Sequence, residues 1–165
     1  MSSGVEVVPS ERVAASAAIT RLRKLKARFI RKYKARALFD DEIEREGARL
    51  FGNAWGGVSN QANIKPEPSH YYIVNTARTE AAPGAHWVAL ITGSGSTAYL
   101  FDSFGRDSVR LLPYLLRRLK KAGFGRVVDC DYDAEQRGAS EVCGHLALSW
   151  LVVARDLGIR RALEV

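Results

Sequence analysis

Residues 143 to 157, CGHLALSWLVVARDL, form an almost unbroken apolar run. It holds Leu146, Ala147, Leu148, Trp150, Leu151, Val152, Val153 and Ala154. A helix that is apolar on every side cannot lie on a surface, so the rest of the chain must wrap it. No stretch reaches the roughly eighteen apolar residues a bilayer span requires, so the run is expected at the centre of a core. A chain of 165 residues can build one domain around such a helix and not two ordinary ones. Its composition, 47% apolar and 26% charged, is that of a globular and not a disordered chain.

The walls of that core can be sought along the chain. Residues 12 to 38 have helical spacing, with Leu22, Leu25, Phe29 and Tyr33 on one stripe. Asp40, Asp41, Glu42, Glu44 and Glu46 follow and suit the start of a second helix. Gly52, Gly56 and Gly57 break it, and residues 60 to 69, with Pro66 and Pro68, suit a loop. Residues 70 to 76 are strand-like. HWVALIT at 86 to 92 and TAYLFD at 97 to 102 flank GSGS, which predicts a β-hairpin. A helix is expected over 107 to 122 and a short strand over 127 to 132. This mixture without strict alternation predicts an α+β fold.

Charge divides the chain unevenly. Residues 1 to 36 carry ten Lys/Arg and two acids, while residues 37 to 165 carry fifteen and sixteen. The organisation expected is a basic helical arm over 1 to 40 and a near-neutral domain over 41 to 165. Arg21, Arg23, Lys24, Lys26, Arg28, Arg31, Lys32 and Lys34 are the candidate nucleic-acid contacts. Two other readings stay open: a solvated helix docked on the domain, or a helix lying on an anionic membrane. The N-terminus, MSSGVEVVPSER, lacks a basic-then-apolar leader, so secretion is not expected. Two cysteines make no disulfide framework, and three histidines without a CxxC pair make no zinc site.

Two features carry chemistry. If paired hairpin positions sum to about 188 or 189, His86 lies across from Asp102 or Ser103; at 188, His86 and Asp102 share a face. A carboxylate beside an imidazole selects its tautomer and supports its charged form. Cys143 falls in the first turn of the apolar helix, where the helix dipole and free N–H groups favour a thiolate. The Cys143 N–H and the Gln136 side chain are candidate oxyanion donors. Each residue also has a plain structural reading. Cysteine is often a small buried hydrophobe, a strand histidine often structural, and Asp102 before Ser103-Phe104-Gly105 can cap a turn.

Taken together and in order, the motifs form a recognisable set. Ile73-Val74-Asn75-Thr76-Ala77, Glu80, Gly84-Ala85-His86-Trp87-Val88-Ala89, Leu100-Phe101-Asp102-Ser103-Phe104-Gly105 and Gln136-x6-Cys143-Gly144 resemble the adenovirus maturation protease (adenain) family. They are more distantly similar to the SUMO-deconjugating proteases. The resemblance covers about residues 70 to 155. It implies a papain-like cysteine protease fold in rearranged chain order, with the nucleophile at the N-terminus of a buried helix. It further implies Cys143 as nucleophile, His86 as general base, Asp102 as orienting acid, Gln136 as oxyanion donor and Trp87 as a substrate contact. Glu80, Asp107 and Glu141 are rival acids for the third role. Cys130 is read as structural or incidental.

The expected activity is therefore a cysteine endopeptidase, a thiol protease cutting viral capsid or core precursors at small, glycine-containing sites during virion maturation. Alternatives are a protease that removes a ubiquitin-like modifier, and a DNA-binding virion protein with a vestigial site. The expected setting is the virion and the infected cell, as a monomer, with protein substrates and DNA as partners. No phosphate loop, metal cluster or dinucleotide fingerprint implies a metal or organic cofactor; DNA or a peptide is the candidate activator.

Overall fold

The computed structural model describes residues 7–77, 86–105, 108–130 and 140–165, and for residues 7–16 and 140 the backbone alone. Its chain is a mixed α+β structure in which helices pack both faces of a five-stranded sheet. Helix α1 runs Val7–Tyr33, starting earlier and ending earlier than its periodicity predicts. Pro9 is tolerated because first-turn N–H groups have no helical partner. The helix stops because Lys34 turns left-handed, at φ 67°. Helix α2, Asp40–Phe51, opens with Asp40, Asp41 and Glu42 at its positive end, as expected.

Strand β1, Trp55–Asn60, was not foreseen, because its sequence WGGVSN carries little strand character. Its glycines have separate reasons. A Cβ on Gly56 would stand 2.1 Å from the Tyr72 ring, and Gly57 takes φ 106° where the register with the next strand shifts. Strand β2 is Tyr71–Asn75, β3 is Trp87–Thr92, β4 is Thr97–Phe101 and β5 is Arg126–Asp129. The order is β1-β2-β3-β4-β5, parallel at β1/β2 and β4/β5 and antiparallel between.

The β3–β4 hairpin forms where predicted, but its register differs. Ala89 pairs with Phe101 and Leu90 with Leu100, a sum of 190. His86 and Asp102 are therefore diagonal neighbours just past the paired residues, not directly opposed. The even offset keeps both on one face of the pleat. The expected single helix over 107 to 122 is two among the described residues, α3 at Ser108–Leu111 and α4 at Pro113–Lys121. Pro113 has no N–H to continue the first and pushes Leu112 out of helical geometry.

The sheet alternation sorts two cores. Tyr72, Val74, Val88, Leu90 and Leu100 meet Leu112, Leu115 and Leu119 on one face. On the other, Ile73, Ala89 and Phe101 meet helix α5, Cys143–Leu157. Every residue from Cys143 to Ala154 is buried, which is the wrapped helix its sequence demands. The α1 stripe of Leu22, Leu25, Phe29 and Tyr33 closes the outer side of α5, and a short α6, Ile159–Ala162, closes its end. No described helix is long and apolar enough to cross a membrane.

Candidate active site

Strand β3 begins one residue after His86, and β4 ends one residue before Asp102. Both side chains thus leave the sheet at its rim, yet both are buried, at 4% and 8% exposure. His86 Nε2 hydrogen-bonds Asp102 Oδ1. The carboxylate can only accept, so Nε2 carries the proton and Nδ1 presents its lone pair. That Nδ1 is buried without a hydrogen-bond partner among the described residues.

Asp102 does two jobs at once. Oδ1 also accepts the Phe104 N–H at 3.0 Å, and the Gly105 N–H closes on the Asp102 carbonyl at 2.8 Å. These contacts fit the turn-capping reading and the imidazole-orienting reading alike. Phe104 was not foreseen as part of the site. Its ring sits 4.8 Å from the His86 ring, covering the imidazole that its own backbone helps to orient.

Cys143 is the first residue of α5 and is 3% exposed. The backbone N–H of Trp87, the residue after His86, donates to Cys143 Sγ at 3.4 Å. The sulfur therefore rests on the backbone of the residue that follows His86, across 56 positions of sequence. Its protonation differs from the expectation of a favoured thiolate. Burial, the largest influence, pushes the thiol above its usual value, and the Asp102 charge adds to this. The N–H groups of Trp87, Gly144 and Cys143 oppose both and do not prevail. A thiol pushed up in this way calls for a base to take its proton.

Trp87 spans three elements. Its indole N–H donates to the Leu38 carbonyl at 3.3 Å, in the connector between α1 and α2. A Cβ on Gly144 would lie 3.3 Å from the Trp87 ring and 3.1 Å from Leu38. Leu38 and Trp87 thus press on the first turn of α5 where any larger residue would push them back.

Gln136 and the rival acids Glu80 and Asp107 lie outside the described residues. Glu141, in the turn leading into α5, is exposed. Cys130 is buried, its thiol 3.6 Å and 3.7 Å from the carbonyls of Ala162 and Leu163, which gives it a structural place beneath α6.

The basic residues flank the α1 stripe. Arg21, Lys24, Arg28 and Arg31 border one shallow groove. Arg21 pairs with Asp156 at 3.2 Å, and Lys32 is bound to the buried Glu46. Lys24, Arg28 and Arg31 are exposed, as are Arg23 and Lys34, while Lys26 is half-buried. Among the described residues no cluster of three or more His, Cys, Asp or Glu side chains could hold a metal ion. Comparison with models of known protein families and with curated proteins finds no match.

Proposed function

We propose that this chain is a cysteine endopeptidase of the adenain-like kind, with a papain-like arrangement, acting on viral capsid or core precursors. One observation carries the reading: a buried imidazole bonded to Asp102 has no partner for its other nitrogen among the described residues, and the next residue's N–H rests on a cysteine sulfur at a helix start. That combination supplies a nucleophile, a base with the correct tautomer and an orienting acid.

In the proposed reaction Cys143 Sγ attacks the scissile carbonyl carbon while its proton passes to His86 Nδ1. The raised thiol pKa suits general-base transfer during attack over a standing thiolate. The oxyanion is held by the Cys143 N–H, with Gln136 as second donor. His86 then protonates the leaving amine, and water hydrolyses the thioester. The crowding of Leu38 and Trp87 on Gly144 supports a narrow approach that suits glycine beside the cut. Virion and infected-cell location, and DNA on the exposed face of α1, belong to the same proposal.

The test is cleavage of a capsid-precursor peptide carrying a Gly-containing site, beside a ubiquitin-like modifier fusion. Cleavage of the peptide that disappears in both Cys143→Ala and His86→Ala is expected. Peptide cleavage undiminished in Cys143→Ala would overturn the assignment, and cleavage of the fusion alone would move it to deconjugation.

A further inference from the structure

His145 lies two residues after Cys143, and the reaction just described makes no use of it. Its ring is wholly buried. Nε2 stands 2.8 Å from the carbonyl oxygen of Lys34, 111 positions away. A carbonyl only accepts, so Nε2 carries the proton in the neutral ring. The remaining nitrogen, Nδ1, is buried without a hydrogen-bond partner among the described residues.

The carbonyl it holds belongs to an unusual turn. Lys34 ends α1 at φ 67°, with its N–H on the Ile30 carbonyl at 2.7 Å. That left-handed position ordinarily favours glycine or asparagine. Four residues later Leu38 is buried, its carbonyl takes the Trp87 indole N–H, and its side chain packs over Gly144. The connector from 34 to 39 is thus pinned at two carbonyls, by His145 on α5 and by Trp87 on β3. Cys143 receives the Trp87 N–H between them.

We infer that His145 is a positioning residue: its neutral imidazole latches the 34–39 connector over the first turn of α5, and protonation of the ring releases Leu38 and Trp87 from beside Cys143. A second proton would go to Nδ1, which has no acceptor among the described residues. The imidazolium is accommodated only when the connector lifts and water reaches it. Burial is the largest influence on this ring and holds its pKa below the usual value. The bond to Lys34 opposes, Arg36 and Lys26 add to the lowering, and Glu42 resists it.

The charged groups that face the ring are Lys26 on α1, Arg36 in the connector and Glu42 on α2. Glu42 on α2, held down to about 2 chiefly by its bond to Arg36, remains anionic. Cys143 on the same helix is held as a thiol. His86, beside Trp87 on the β3 side, is a second imidazole and is unchanged in the variants below. The unfolded ring titrates at 6.5 and the folded ring lower. The latch is therefore complete above about pH 6.5 and weakens as pH falls below it.

The inference rests on the peptidase reading only for what Cys143 does, and the experiment needs no catalysis. Hydrogen exchange of amides 34–39 is measured in the full chain near pH 5 and near pH 7.5, with times scaled for intrinsic exchange. Wild type should lose protection ~tenfold or more at the lower pH. His145→Gln keeps an N–H donor for Lys34 without titrating, and should show the same protection at both. An NMR titration of His145 in wild type gives a second reading, with an expected midpoint below 6.5. Equal pH dependence in wild type and His145→Gln, or a wild-type midpoint at or above 6.5, would overturn the latch. Either result leaves the peptidase reading intact, and a failed peptidase assay leaves the latch intact.

Discussion

Two buried carboxylates of this molecule, Glu46 and Asp102, have opposite surroundings. Glu46, 2% exposed, accepts from Lys32, from the Tyr33 hydroxyl at 2.6 Å and from Arg49 at 2.6 Å. Burial alone would raise its pKa, but these three bonds bring it below the ordinary value, and the two from Lys32 and Tyr33 hold α2 against α1. Tyr33 answers in kind: burial and the neighbouring Glu46 push its hydroxyl up to about 12. Asp102, by contrast, spends one oxygen on a backbone N–H and on an imidazole whose far nitrogen has no partner among the described residues. A cluster satisfied on every side stabilises, whereas a cluster left open at one atom is available to react.

Breaking each cluster should therefore give different losses. The largest expected effect is on turnover: His86→Ala should lower peptide cleavage ~1,000-fold or more with little change in thermal stability. Asp102→Asn keeps an oxygen for the Phe104 N–H but can donate to the ring and present the wrong tautomer. It should cost ~100-fold or more in kcat, again with the fold intact by circular dichroism. Glu46→Ala inverts the pattern. It should cost about 2 kcal/mol of stability by denaturant titration, because the Tyr33 hydroxyl is stranded while Lys32 and Arg49 can turn to water. Cleavage per folded molecule should be unchanged.

Acid sharpens the contrast. The Glu46 pKa is depressed on folding, so its contribution is fully present above the ordinary 4.5 and is lost as pH falls below that value through the lower folded one. The stability gap between wild type and Glu46→Gln should accordingly narrow steadily as pH is lowered below 4.5. The smallest expected effect is Lys32→Ala. With the Lys32 side chain 53% exposed, it should cost well under about 1 kcal/mol in the same titration.

Much of this contrast lay in the sequence, and the missing parts have physical reasons. The apolar run of α5, the α1 stripe, the acidic start of α2 and the hairpin were legible because periodicity and turn residues report them directly. The His86–Asp102 pair was foreseen through a register two residues off in its sum. It survived because an even error keeps both side chains on one face. Strand β1 was hidden because a bulge and a close approach to Tyr72 need glycine where strands usually show branched residues. The break at Pro113 was written in the sequence and outweighed by the surrounding helical period. The thiol's upward shift was missed because local sequence shows a helix N-terminus but not the depth at which it is buried. Leu38, Phe104 and His145 carried no local signal, since two of them act through backbone groups far along the chain.

The central claim is that Cys143 and His86 act as one chemical unit. Intact-mass labelling with a small thiol-directed electrophile tests it directly, using wild type, Cys143→Ala, His86→Ala and Cys130→Ala near neutral pH. The account predicts a single adduct that requires Cys143, slows ~tenfold or more in His86→Ala and is unchanged in Cys130→Ala. Labelling of Cys143 at the same rate with and without His86 would contradict it.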